Sequence, residues 1–166
     1  MNKEKIIECV HCPLDYSKYE STIIRNNTNC YAHAIGSTYP ELKMYRIGAI
    51  SQLKSIEKAY VSEDELKALF LEDMQTLNLE AEEIKTFSKQ DCLSKIENAN
   101  LKENEHLILL FGVYYGSGKF ADFHFWRYDE KGFSEKRKTQ MPIFIENPNI
   151  TWSNSMNLIG LFRIKK

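Results

Sequence analysis

Cys30 and His124 are the two side chains whose types and settings point to chemistry. Cys30 lies in Asn26-Asn27-Thr28-Asn29-Cys30-Tyr31-Ala32-His33-Ala34-Ile35-Gly36. Small polar residues of the kind that end loops and cap helices precede it. A mostly apolar run with helical character follows, and Gly36 closes that run as a C-cap would. A thiol at the first turn of a helix sits beside unpaired backbone N–H groups and the positive end of the helix dipole. Both favour the thiolate, which is the nucleophile. The plain alternative is a buried, inert cysteine. His124 lies in Asp122-Phe123-His124-Phe125-Trp126-Arg127-Tyr128, which reads as a strand. A thiolate–imidazole pair needs residues from different elements, and a helix N-terminus facing a strand histidine is one such geometry. The alternative there is a structural histidine on a sheet.

A third polar residue follows from strand register. If Asp129 to Gly132 is a hairpin turn, Trp126 faces Glu135 and His124 faces Arg137. Glu135 is then diagonal to His124 on the same face, with Cα atoms about 7–8 Å apart. A carboxylate there would fix the imidazole tautomer that offers its other nitrogen to Cys30. Otherwise Glu135 is a solvated strand residue paired with Arg137 or Lys136. Gln140 and Asn147 are fallbacks for the third position. Asn29 is either a helix cap or a substrate-positioning residue that joins the Cys30 backbone N–H in binding an oxyanion. His33, one helical turn after Cys30, is a flanking residue or a competing base.

These residues need elements to carry them. Ser62-Glu63-Asp64-Glu65 is a capping box. Leu66, Leu69, Phe70, Met74 and Leu77 follow at helical spacing, so a core-facing helix is expected over 62–78. Ser51 is expected to cap a helix from Gln52 to Tyr60, after an extended piece from Tyr45 to Ile50. Glu82 to Phe87 reads as a short strand, and Ser88 to Asn98 as a helix. Leu107 to Tyr115 is continuously apolar, as in a strand buried on both faces. A turn over 116–119, strands over 122–128 and 133–138, an edge strand over 142–146, a turn over 147–149 and a closing strand over 157–164 complete the chain. Residues 1–25 carry no clear pattern. Helices first and an antiparallel meander after predict an α+β fold.

Composition bounds the rest. With 166 residues, 43% hydrophobic and 27% charged, the chain reads as one domain, 1–166, with an ordinary core. The net charge of −1 and the lack of a basic stripe argue against nucleic acid as a partner. No apolar run reaches membrane-spanning length, and the first residues lack the apolar core of a signal peptide. The expected location is cytoplasmic, or exported without a Sec-type signal. Cys9-Val10-His11-Cys12 is a C-x-x-C, but Cys30 and Cys92 supply no second close pair for zinc, so neither metal nor cofactor is expected.

Asn29-Cys30-Tyr31-Ala32-His33-Ala34 resembles the N-C-Y-A-Y-A box of a bacterial and phage family of papain-like cysteine hydrolases, related to the NlpC-type cell-wall peptidases. Asp122-Phe123-His124-Phe125-Trp126-Arg127, followed by Gly132-Phe133-Ser134-Glu135-Lys136, resembles that family's D-x-H-F-[YW]-R…D-x-x-G-x-W-S-H-K block. Between them, Tyr45 to Ser51 and a capped helix with Asp73 near its end follow the same layout. The likeness covers about residues 26–138. It implies a papain-like fold, with N-terminal helices carrying the cysteine packed on a C-terminal antiparallel sheet. It also implies Cys30 as nucleophile, His124 as general base and a peptide or protein amide as substrate. The chain departs from the pattern at four points. Glu135 stands where a histidine is usual, the loop before it is one residue shorter, Phe133 replaces the tryptophan, and His33 replaces a tyrosine. A thioester acyltransferase or transglutaminase-like enzyme would use the same residues. A non-catalytic binding or inhibitor module is the alternative of another class. The oligomeric state is open.

Overall fold

A computed structural model describes residues 2–41, 46–53, 62–114 and 120–166. It is an α+β structure built on a six-stranded antiparallel sheet in the order β1-β6-β2-β3-β4-β5. The strands are β1 (Glu80–Ile84), β2 (Glu105–Tyr114), β3 (Phe120–Asp129), β4 (Gly132–Glu135), β5 (Ile143–Phe144) and β6 (Met156–Lys165). The helices are α1 (Lys3–Glu8), α2 (Thr22–Asn26), α3 (Cys30–Ile35), α4 (Ala49–Gln52), α5 (Glu63–Thr76), α6 (Lys89–Glu97) and α7 (Pro148–Thr151), with a 3-10 turn at Tyr16–Glu20.

The central strand β2 is buried on both faces, and its alternation feeds two cores. Ile108 and Leu110 join a cluster with α1, α3 and α5. Leu107, Leu109 and Phe111 join a second cluster with Cys92, Leu93 and Ile96 of α6 and with Trp152. In the first cluster, Phe70 packs on Phe162 at 4.7 Å and Tyr31 stacks on Phe125 at 5.1 Å between ring centroids. Burial of one such aromatic side chain contributes about 1.5–3 kcal/mol. The Tyr31–Phe125 stack sets α3 directly on β3, so the cysteine-bearing helix is seated on the histidine-bearing strand.

Local signals explain most element ends. Ser62 accepts from Glu65 N and opens α5, and Ser88 accepts from Asp91 N and opens α6. Gly36, at φ +78°, ends α3 in the left-handed region that glycine adopts without a Cβ penalty. β3 and β4 pair Asp129 with Gly132 and Arg127 with Ser134, the register expected from the turn.

Five expectations need correction. The extended piece expected up to Ile50 ends in a helical turn, because Gly48 reverses the chain at φ +89° and Ala49–Gln52 coil. Ser51 lies inside that turn and does not cap it; Tyr45, most of the helix expected to Tyr60 and the turn over 116–119 lie outside the described residues. β1 starts two residues early and stops at Ile84, because the backbone N–H of Phe87 is turned to the Asp91 carboxylate. β4 stops at Glu135, well short of Lys138, because Lys136 leaves the ladder to serve another segment. The turn expected at Asn147–Asn149 is the start of α7, with Asn147 as cap and Pro148 in the first helical position.

The unassigned N-terminal arm folds around α3. Val10 bridges to Ser37, His11 N donates to Gly36 O, and Thr38 N donates to Cys9 O. No helix among the described residues is long and apolar enough to cross a membrane.

Candidate active site

α3 begins at Cys30 because Asn29 holds it there. The Asn29 side-chain oxygen accepts from Ala32 N at 2.9 Å, the N-cap geometry. Cys30 lies half-buried at the resulting helix start, on the wall of a cleft of about 1240 Å³. His124, Trp126 and Glu135 line the same cleft. They meet just past the last ladder pair of β3 and β4, Arg127 with Ser134.

The His124 ring stands between Glu135 and Cys30. Its Nε2 lies 2.5 Å from Glu135 Oε2, and Cys30 is near enough to act on its proton affinity. With Nε2 taken by the carboxylate, Nδ1 is the nitrogen left for sulfur. Burial pulls the imidazole pKa down. The hydrogen bonds and charges of Cys30 and Glu135 outweigh it and raise the value to about 9. A histidine in that state holds its proton at neutral pH and donates from both ring nitrogens.

Glu135 is itself held in place. Trp126 Nε1 donates to the same Oε2 at 3.1 Å, and Arg137 Nε donates to Oε1 at 2.8 Å. Burial pushes the Glu135 carboxyl up, but the hydrogen bond and charge of His124, and then Arg137, hold it below the ordinary glutamate value. The carboxylate is therefore ionised, aimed and almost fully covered, with its side chain 4% exposed.

The other sequence candidates take different positions. His33 is completely buried, with Nδ1 3.2 Å from Tyr19 Oη and Nε2 2.9 Å from Ser134 Oγ. Burial, then the charges of Arg127 and Lys136, push its pKa well down, so it is a neutral core residue turned away from Cys30. Asn147 caps α7, and Gln140 lies exposed on the cleft rim. Of the C-x-x-C thiols, Cys12 is paired with a buried histidine. Cys12 Sγ lies 3.4 Å from His106 Nδ1, while His106 Nε2 bonds Ala34 O at the end of α3. Burial pushes Cys9, Cys12 and Cys92 up, Cys92 to about 12. No group of three or more potential metal ligands occurs among the described residues.

Two buried charged residues were marked in the sequence by the resemblance alone. Lys136 is fully buried, and its Nζ donates to Arg25 O, Thr28 O and Lys138 O at 2.8, 2.7 and 2.5 Å. It ties the loop before Cys30 to the strand that carries Glu135. Strand alternation was the available clue, since it sets Lys136 on the face opposite Glu135. Asp73 is equally buried and accepts from Tyr31 Oη, Gly48 N and Ser51 N at 2.6, 2.6 and 2.7 Å. It joins α3, α4 and α5 through one carboxylate. Burial pushes its pKa up against those three hydrogen bonds.

No protein-family model, curated protein or solved structure matches this chain.

Proposed function

We propose that the chain is a papain-like cysteine hydrolase that cleaves an amide through a Cys30 thioester. The observation that carries this reading is His124, hydrogen-bonded to Glu135 and beside Cys30, with all three side chains on one open cleft. It has the nucleophile, base and orienting carboxylate of a triad.

The steps follow from the geometry. His124 already holds the proton as imidazolium, so the Cys30 sulfur reacts as thiolate and attacks the amide carbonyl carbon. The carbonyl π electrons move to oxygen, giving a tetrahedral oxyanion. The backbone N–H of Cys30, in the first turn of α3, has no intrahelical acceptor and is placed to receive that charge. The Asn29 side-chain oxygen is committed to the cap, so Asn29 acts first by fixing where α3 starts. The imidazolium then protonates the leaving nitrogen as the C–N bond breaks, leaving a thioester. His124 next deprotonates a water, which attacks the thioester; the C–S bond breaks and releases the acid, restoring the Cys30 thiolate beside protonated His124.

The test is the alkylation rate of each cysteine by iodoacetamide at pH 6, read by peptide mass spectrometry. Cys30 should react at least tenfold faster than Cys9, Cys12 and Cys92, as expected of an activated thiolate. His124→Ala should remove that advantage. Equal rates at the four cysteines would overturn the reading.

A further inference from the structure

We propose that the turn Arg137-Lys138-Thr139-Gln140 selects substrates with a carboxylate near the attacked amide, so that acidic peptides are the substrate class. This rests on the hydrolase reading above.

The turn is a built part of the cleft. Gln140 N donates to Arg137 O at 2.9 Å and closes it. Lys138 sits at φ +46°, a left-handed conformation uncommon for a lysine. Its carbonyl is held by Lys136 Nζ, whose other bonds run to Arg25 O and Thr28 O. One buried ammonium thereby fixes the turn relative to the Cys30 loop. The turn's four residues line the same cleft as Cys30 and His124.

The charges on this lining are uneven. Arg137 and Lys138 are exposed on the turn, and Arg46 also borders the cleft. Among the described residues that line it, the acids are Asp122 and Glu135, and Glu135 is consumed by His124, Trp126 and Arg137. Arg137 is oriented by Glu135 Oε1 yet keeps a side chain 59% exposed. Its guanidinium therefore has further donors to offer a second carboxylate, in the planar geometry that suits one. Lys138 adds a cation beside it. Thr139 and Gln140 supply neutral hydrogen-bonding groups, and Phe123, Trp126 and Met156 supply apolar wall for the rest of a peptide chain.

The experiment uses the full chain and two readouts. The first is the rate of Cys30 labelling by three peptidyl acyloxymethyl ketones that differ only in Glu, Gln or Lys beside the reactive group. The Glu probe should label about tenfold faster than Gln, with Lys slowest, as expected where two cations meet the probe's charge on the cleft wall. Lys138→Asn keeps a residue that tolerates the left-handed conformation. It should cut the Glu-over-Gln ratio severalfold, with each probe rate read relative to the iodoacetamide rate at Cys30 in the same variant. Equal rates for the three probes, or an unchanged ratio in Lys138→Asn, would overturn the proposal and leave the hydrolase reading standing. The second readout is fluorescence anisotropy of fluorescein-labelled alanine hexapeptides carrying one Glu, Gln or Lys, bound to Cys30→Ala. Tighter binding of the Glu peptide, weakened in Cys30→Ala/Lys138→Asn, supports acid selection even if Cys30 proves unreactive, in which case only the hydrolase reading falls. Indifference to the charge sinks acid selection.

Discussion

The ammonium of Lys136 donates to the carbonyl of Thr28, two residues before Cys30, across 2.7 Å. Lys136 is also the residue after Glu135, so one strand end delivers the Glu135 carboxylate to one face and grips the loop before Cys30 from the other. Lys136→Met keeps the length and volume but leaves the Arg25, Thr28 and Lys138 carbonyls without this donor. The expected loss is on the order of 1–3 kcal/mol in urea denaturation. The rate of Cys30 alkylation should fall as well, because the loop that sets its position is no longer tied to β4. Unchanged alkylation would show that the loop holds its place without the lysine.

Asp73 does similar work deeper in the molecule. Its two oxygens receive one O–H and two N–H donors. An amide in its place can accept at one oxygen only, and its NH₂ must then face a donor. Asp73→Asn should therefore destabilise by about 1–3 kcal/mol, the cost of a buried donor left without an acceptor. Because Tyr31 adjoins Cys30, the variant should also broaden the NMR signals of α3. Thermal unfolding checks the first expectation and an amide spectrum the second.

The sheet and the two longer helices were legible in the sequence because each carries its own signal. Ser62 and Ser88 announce helices by capping, and Leu107 to Phe111 announce a doubly buried strand by unbroken hydrophobicity. The hairpin register was legible from one turn, and it brought Glu135 to His124. What stayed hidden were contacts between side chains and remote backbone. Lys136 and Asp73 bond carbonyls and N–H groups of distant segments, and backbone groups leave no residue-type signature. The short N-terminal helices were unreadable for a related reason. A helix of five or six residues is held by tertiary packing, not by its own pattern.

Gly36 and Gly132 separate two costs of a methyl group. Both have positive φ, +78° and +95°. A Cβ at Gly132 meets nothing within 4 Å, whereas one at Gly36 would lie 2.4 Å from His11 O and 3.2 Å from Arg127 Nη1. Gly132→Ala should cost about 1–2 kcal/mol, the backbone term alone. Gly36→Ala should cost more, since the N-terminal arm must also move off α3. Chemical denaturation of the pair gives the comparison directly; equal losses would mean that the arm yields freely.

The His124–Glu135 contact sets the expected pH behaviour. The folded histidine has its pKa raised to about 9, against about 6.5 in an unfolded chain. A raised value means the folded state binds this proton more tightly. The stabilisation is then fully present below about pH 6.5 and is lost as pH rises toward 9. Urea denaturation across that window should show stability falling, and His124→Gln should flatten the fall. Acylation of an amide substrate should decline through the same alkaline range, because a deprotonated imidazole cannot protonate the leaving nitrogen. Glu135→Gln removes the charge that helps to hold the proton, so the alkaline limb should move to lower pH. Imidazole NMR isolates the group responsible. His33 and His106 are buried and pushed well down, and His11 is lowered by burial, so a resonance titrating near pH 9 belongs to His124. A titration that stays near 9 in Glu135→Gln would place the proton's stabilisation on Cys30 instead of the carboxylate.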